Sequence, residues 1–150
     1  MQLTQKETML LKDLKDQEQL CIDKYTDYAS KANDAQLKEL FTQIASTEQQ
    51  HLNTLTQIET ATPPAPGGSQ SGAQKTFSAS YSMGETPEKK ADAYLCSDVL
   101  SAEKHVSSLY DTCIFEFKDE QCRNTLNHIQ KEEQQHGKMI YDYMQTNAMY

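Results

Sequence analysis

The sequence predicts an all-α protein, folded as an antiparallel four-helix bundle made of two similar helical hairpins. Long stretches rich in Leu, Lys, Glu, Gln and Ala, which are good helix formers, lie on both sides of one central linker. Runs of Val, Ile and Thr typical of strands are missing. At 150 residues the chain has the size of one domain, so we treat residues 1–150 as a single bundle.

Capping and turn residues divide the chain into four helices. Thr4 begins a capping-box pattern, and Asp34 and Asp119 follow the two predicted turns as candidate helix caps. Thr86-Pro87 places a cap before a proline at the first helical position. Between these signals, apolar residues recur at helical spacing. The predicted helices span residues 4–31, 34–60, 87–117 and 119–147.

The central linker separates a first hairpin, residues 1–60, from a second hairpin, residues 86–150. Residues 61–85 are rich in Pro, Gly and Ser and have no apolar periodicity. A segment of this length can stretch to roughly 80 Å, whereas each helix is only about 40 Å long. The linker can therefore cross the whole bundle, and a bundle with one long crossover has the ferritin-like arrangement.

Charge and composition exclude several functional classes. The net charge of −8 leaves no basic patch for nucleic acid or an anionic membrane surface, and no apolar run resembles a signal peptide or a membrane span. The four cysteines contain no C-x-x-C pair, which excludes a rubredoxin-type iron or zinc-ribbon site. We interpret them as reduced core cysteines and expect synthesis in the cytoplasm.

An internal repeat relates the two hairpins. The letters EQQH at residues 48–51 recur at residues 133–136, and the shift between these two motifs defines the repeat offset. Glu18 and Glu103 match at the same offset, and each interrupts an otherwise apolar helix stripe. The same hairpin has therefore been used twice, with its acidic positions preserved.

The repeated residues predict a metal centre in the bundle core. A spacing of three residues places the Glu and the His of each EQQH motif on one helix face. Each single Glu lies about 15 residues before a turn, and each motif Glu about 15 residues after it, so all reach one level. Two single Glu residues and two Glu-x-x-His motifs are the ligand set of a di-iron or di-manganese carboxylate site. The predicted ligands are Glu18, Glu48, His51, Glu103, Glu133 and His136.

Electrostatics favours two bound Fe or Mn ions, because four buried carboxylates are costly without compensating charge. The alternative is a polar layer without metal, in which the Glu side chains are protonated or bonded to Gln and Tyr. Tyr25 and Tyr110 are interpreted first as core residues, with a supporting or redox role at the site as the alternative. Glu116 and Glu132 are expected at solvated or helix-end positions, with a supporting role beside the ligands as the alternative. Which carboxylates bridge the two ions is left open.

The second half of the chain resembles a known family. The residues that carry the resemblance are the run DVLSAEKH at 98–105, Tyr110, Ile114, Glu116, Arg123, Glu133, His136, the run YDYM at 141–144, and Tyr150. They are similar to the Coat F domain of bacterial spore coat proteins, whereas the first hairpin looks like a generic ferritin-like or rubrerythrin-like hairpin. The family usually ends in Gly-Trp-Tyr, where this chain has Ala-Met-Tyr at 148–150.

Two functions are consistent with these observations. The resemblance implies a ferritin-like protein located at the spore coat, here with a di-metal carboxylate site in its core, and with other coat proteins or further copies of itself as partners, a homodimer included. The ligand set favours the alternative of a di-metal redox enzyme acting on peroxide or dioxygen, as rubrerythrin-like and manganese-catalase-like bundles do. The two functions are compatible, since a coat protein could detoxify peroxide. Enzymatic activity stays undecided at this level. Mineral iron storage ranks lower, because nothing in the sequence specifies a cage.

Overall fold

A computed structural model of the chain describes residues 2–60 and 75–150. These ranges contain four helices, α1 (Gln5–Lys31), α2 (Ala35–Glu59), α3 (Pro87–Glu116) and α4 (Glu120–Thr146). The described residues include no strand, so the predicted all-α class is confirmed. Every helix begins and ends within one residue of its predicted bounds.

Side-chain caps begin three of the four helices at the predicted residues. The Thr4 hydroxyl accepts a hydrogen bond from the backbone N–H of Glu7 at 3.1 Å, and the Glu7 carboxylate accepts one from the Thr4 N–H at 2.7 Å. Thr86 and Asp119 each accept from the N–H group three residues further on. These bonds satisfy backbone donors that have no partner inside the helix.

The predicted cap of α2 is wrong in one respect. Asp34 stands at the N-cap position, but its side chain makes no capping hydrogen bond; it accepts instead from the Tyr143 hydroxyl at 2.7 Å. Asp92 of α3 binds the turn, accepting from the backbone N–H groups of Asn33 at 2.8 Å and Asp34 at 3.0 Å. The turn before α2 is therefore held by the other hairpin.

Contacts across the bundle place α1 beside α3 and α2 beside α4, with antiparallel directions in both pairs. Lys6 at the start of α1 lies 3.0 Å from Glu116 at the end of α3. The bond between Asp34 and Tyr143 joins the start of α2 to the end of α4. Since each hairpin is itself antiparallel, α2 and α3 run parallel, and the chain between them returns from one end of the bundle to the other.

The last part of this connection, residues 75–86, packs beside the start of α2. The Gln36 amide donates to the Ser78 carbonyl at 2.9 Å and accepts from the Ser78 N–H at 3.1 Å. From there the chain enters α3 at the same end of the bundle. Residues 61–74, the first part of the predicted crossover, lie outside the described residues.

Two apolar clusters fill the bundle and leave a polar layer between them. The first includes Tyr25, Ile44, Val99 and Ile140, one from each helix, and the second includes Leu14, Leu55, Val106 and Ile129. On every helix the predicted ligand positions fall between the residues of the two clusters; on α1, for example, Glu18 lies between Leu14 and Tyr25. The repeated acids therefore share one level near the middle of the helices, as their spacing predicted.

The backbone turns sharply after α4. The Asn147 amide donates to the Tyr143 carbonyl at 2.9 Å, and its oxygen accepts from the Ser80 N–H at 2.8 Å. Ala148 follows with a φ of 56°, the left-handed region that a residue with a Cβ adopts only at a cost.

The cysteines belong to the core, as predicted. All four are buried and none forms a disulfide: Cys21, Cys96, Cys113 and Cys122. Burial raises the pKa of each thiol, so they are protonated packing groups. None of the described helices combines the length and the apolar content needed to cross a membrane.

Candidate metal centre

The polar layer brings together all six residues that the repeat singled out. One Glu comes from α1, one from α3, and a Glu and a His from each of α2 and α4. Each is no more than 2 % exposed: Glu18, Glu48, His51, Glu103, Glu133 and His136. Apolar residues above and below the layer keep water away from these groups, which gives their charges large energetic weight.

The six side chains form two groups of four with two members in common. Glu18 and His51 belong to the first group, Glu103 and His136 to the second, and Glu48 and Glu133 belong to both. Within each group, one ligand atom from every residue lies within 4.8 Å of the others. The geometry therefore places the two motif glutamates between two adjacent positions suited to a cation.

The potential ligand atoms approach one another without forming hydrogen bonds. The Nδ1 atom of His51 lies 2.8 Å from a Glu133 oxygen, and that of His136 lies 2.8 Å from a Glu48 oxygen. Neither nitrogen has a hydrogen-bond partner of acceptable geometry within the described residues. Ligand atoms that lie close together without bonding to one another are available to a shared ion.

Buried polar atoms without partners are concentrated in this layer. Nine such side-chain atoms occur among the described residues, and eight of them belong to the six candidate ligands. Both oxygens of Glu48 and both oxygens of Glu133 are included. Because a buried carboxylate oxygen without a donor is costly, these atoms require a proton or a cation as partner.

Two tyrosines fix the single glutamates across the bundle. The Tyr25 hydroxyl donates to the Oε1 atom of Glu103 at 2.6 Å, and the Tyr110 hydroxyl donates to the Oε1 atom of Glu18 at 2.6 Å. In both glutamates the Oε2 atom remains without a hydrogen-bond partner among the described residues. The tyrosines are thus core residues that also orient the carboxylates, which combines the two interpretations drawn from the sequence.

Glu132 is the functional candidate that the sequence prediction placed wrongly. It is 4 % exposed, and its Oε1 atom lies 3.1 Å from the Nε2 atom of His51 and 3.3 Å from that of His128. Such a carboxylate fixes the ring orientation of His51 and leaves Nδ1 for the polar layer. Thr47 stands at the equivalent position of the first hairpin, so the internal repeat contained no signal for Glu132.

Burial and mutual repulsion shift the pKa values of the carboxyls. Burial, followed by the charge of Glu48, raises the pKa of Glu18 to about 8. Burial and the charges of Glu103 and Glu18 raise the pKa of Glu133 well above its usual value. Burial acts upward on Glu48 as well, but its close contacts with Glu18 and with both histidines hold its pKa well below the usual value. Without a cation, the layer therefore retains protons near neutral pH.

The pKa values of both histidines are raised, which favours their charged form. Burial alone would lower the pKa of His51, but its contacts with Glu132 and Glu133 outweigh burial and raise it well above the usual value. The same balance holds at His136, where the nearby Glu103 charge raises the pKa. Protons on these rings partly compensate the carboxylates, and metal ions would displace them because only a neutral imidazole nitrogen can bind a metal.

Fold and site together define the class of this protein as a four-helix bundle with a buried layer of four glutamates and two histidines. The Coat F domain family model matches residues 91–150, which cover most of α3 and all of α4. This match confirms the resemblance found in the second hairpin, and it leaves residues 1–90 outside. No curated protein and no solved structure matches the chain.

Proposed function

We propose that this protein is a ferritin-like component of the spore coat that binds two Fe or Mn ions in its polar layer. The observation that carries the proposal is the pair of four-residue groups that share Glu48 and Glu133. In this proposal Glu48 and Glu133, which belong to both groups, would serve both ion positions. Glu18 and His51 complete one site, and Glu103 and His136 complete the other.

Charge balance supports two divalent ions. Four carboxylates in a dry layer would carry about four negative charges, and isolated buried charge is very unfavourable. Two divalent cations offset this charge, and a mixed set of carboxylate and imidazole ligands suits Fe and Mn. A layer neutralised by protons alone is the competing state, and the raised pKa values of Glu18 and Glu133 describe that state.

Helix topology supports the ferritin-like assignment. Neighbouring helices are antiparallel throughout, while α2 and α3 are parallel and joined by a long connection. Di-metal bundles of that type carry one Glu on each of two helices and a Glu-x-x-His motif on each of the other two. The four helices of this chain carry these residues in the order Glu, Glu-x-x-His, Glu, Glu-x-x-His.

The spore-coat assignment rests on the Coat F domain match at residues 91–150. Other coat proteins, or further copies of the chain, are the expected partners.

A redox enzyme acting on peroxide or dioxygen is the second candidate, and the donor set favours it. Each group combines three carboxylates with one imidazole, and ligands of these kinds suit Fe and Mn. A coordination position not filled by these residues would be open to an exchangeable ligand. Bound metals at such positions supply Lewis acidity and electron transfer, while Tyr25 and Tyr110 hold the terminal carboxylates in place.

Metal analysis tests the proposal directly. Protein purified without chelators, and protein reloaded separately with ferrous iron and Mn²⁺, should hold about two ions per chain, the number expected of this ligand set. Peroxide consumption by the loaded protein would favour the redox candidate, and loading without consumption would favour a structural coat component. If no loading condition gives bound metal, the polar layer is neutralised by protons and the metal assignment is wrong.

A further inference from the structure

A pocket between α3 and α4 reaches the polar layer from one side. Its volume is about 480 Å³, and Glu103 and Glu133 are among the residues that line it. Leu100, Gly137, Tyr141 and Tyr150 contribute apolar and aromatic surface, and Lys104, Ser107 and Gln134 contribute the remaining lining. The pocket is mainly apolar, and the buried carboxylates of Glu103 and Glu133 form part of its lining.

The two hairpins differ where this pocket opens. Ser107 and Gly137 line it, whereas the equivalent positions of the first hairpin hold Ile22 and Leu52. Ile22 and Leu52 are both half-buried, so large apolar side chains occupy the equivalent places on the face made by α1 and α2. The six candidate ligands are therefore nearly symmetric between the two hairpins, whereas the side chains around them are smaller on the face made by α3 and α4 than on the face made by α1 and α2.

Gly137 is not explained by close packing of the helices. A Cβ atom added at this position would lie 3.7 Å from the Leu100 side chain, which is an ordinary contact distance. Glycine in the interior of a helix is less favourable than alanine, so the residue weakens α4 without relieving a clash. What it provides is open space beside Glu103 and Glu133.

We propose that this pocket is the route by which a small uncharged molecule, of the class of dioxygen or hydrogen peroxide, reaches the metal centre. The inference rests on the proposed metal site and names the side from which its exchangeable positions are approached. An apolar lining disfavours ions, because they would lose their hydration on entry. A small neutral molecule does not encounter this penalty.

Nitric oxide provides the test, since it is an uncharged diatomic that changes the visible absorption of ferrous iron on binding. Protein loaded with ferrous iron would be mixed with it in a stopped-flow instrument. Ser107→Ile and Gly137→Leu copy the closed wall of the first hairpin, and Ser108→Ile is the matched control on an exposed neighbour outside the pocket lining.

Each pocket substitution should slow binding at least about tenfold, the factor produced by a barrier about 1.4 kcal/mol higher, while Ser108→Ile leaves the rate unchanged. Iron content should stay the same in all variants, because none of these residues is a proposed ligand. Unchanged binding rates in Ser107→Ile and Gly137→Leu would overturn the proposal. If Gly137→Leu fails to fold, Ser107→Ile alone decides.

Xenon separates this inference from the metal assignment. Metal-free protein crystallised and pressurised with xenon should bind the gas against the apolar lining between α3 and α4, and Gly137→Leu should remove that site, since apolar pockets take up such probes. Xenon bound there in a protein that takes up no metal would support the pocket as a binding place for small neutral molecules and would contradict the proposed metal site. Absence of xenon from the pocket would reject the route whatever the metal content.

Discussion

Tyr25 and Tyr110 occupy equivalent positions in the two hairpins, and each donates a 2.6 Å hydrogen bond to the single glutamate of the opposite hairpin. The partners, Glu103 and Glu18, are themselves equivalent in the internal repeat. Such reciprocal bonds are what a twofold axis between two equivalent hairpins produces. The repeat in the sequence thus corresponds to reciprocal contacts in space.

The turns at the two ends of the bundle are also held by reciprocal hydrogen bonds between the hairpins. Glu7 accepts from the backbone N–H of Lys118 at 2.9 Å, and Asp92 accepts from that of Asn33 at 2.8 Å. The two acids are related by the repeat offset, and so are the two amides. Each hairpin therefore holds the turn of the other, and we expect the two hairpins to superpose at this offset.

Removing either tyrosine hydroxyl should destabilise the protein. Tyr25→Phe or Tyr110→Phe leaves a buried carboxylate oxygen without its donor, and each change should cost about 1–3 kcal/mol in the free energy of unfolding. Urea denaturation of metal-free protein measures the effect. Tyr94→Phe is the control, because Tyr94 is 71 % exposed, and it should change stability by less than about 0.5 kcal/mol. Equal stability of the Tyr25→Phe variant and the parent would contradict the role assigned here.

Loss of the shared glutamates should abolish metal binding without unfolding the bundle. The Glu48→Gln, Glu133→Gln double variant removes the two carboxylates that belong to both groups, and metal content should fall from about two ions per chain to near zero. Helical circular dichroism should persist, because removal of buried charge offsets part of the stability lost with the metal.

A matched double variant checks this prediction. Glu39 and Glu120 are exposed acids on the same two helices, α2 and α4. Glu39→Gln with Glu120→Gln makes the same change in net charge and should retain the full metal content. Equal metal binding by both double variants would show that ions bind outside the polar layer.

The stability of the metal-free protein should decrease as pH rises. The pKa of Glu18 is raised from 4.5 to about 8, so the native state keeps a proton that the unfolded chain releases between these values. The protonated Glu18 side chain makes its full contribution to the free energy of unfolding below pH 4.5, and this contribution is lost progressively up to about pH 8. Glu133 and both histidines, whose pKa values are also raised, act in the same direction.

Thermal unfolding at pH 6 and pH 8.5 measures this dependence. The melting temperature of metal-free protein should be lower at the higher pH. Saturation with Mn²⁺ should reduce or reverse the difference, because metal binding releases the same protons and strengthens with pH. A melting temperature that rises with pH in the metal-free protein would show that the layer is not held by protons.

Ala148→Gly should stabilise the end of the bundle. Ala148 has a φ of 56°, and glycine at such a position removes a strain of about 1 kcal/mol. Urea denaturation should show a higher midpoint for this variant. The control is Ala91→Gly, an exposed position inside α3 with helical backbone, which should lower stability by about 0.5–1 kcal/mol. A loss of stability in both variants would contradict the argument.

Local signals and the internal repeat explain which residues the sequence placed correctly. Thr4, Thr86 and Asp119 have local signals that decide where a helix begins, and the EQQH letters have a spacing that decides which face they share. The prediction for Asp34 failed because the side chain of a capping residue can bind another helix instead, here through Tyr143, and local sequence does not record that competition.

The sequence left the role of Glu132 open and did not indicate the pocket at Gly137, for a related reason. Both exist in the second hairpin alone, so a search for matching letters passes over them. Glu132 becomes a partner of His51 through the packing of α4 against α2, a tertiary contact. The membership of Glu48 and Glu133 in both groups likewise depends on distances between four helices and not on spacing along any one of them.

Joining the two hairpins in one polypeptide allows each half of the centre to mutate independently. In a symmetric dimer of identical hairpins, every substitution would appear on both sides of the centre at once. Here Thr47 and Glu132 differ at equivalent positions, and so do Leu52 and Gly137. Two ions bound between such hairpins would have different surroundings. A single substitution could then change the surroundings of one ion and leave those of the other unchanged.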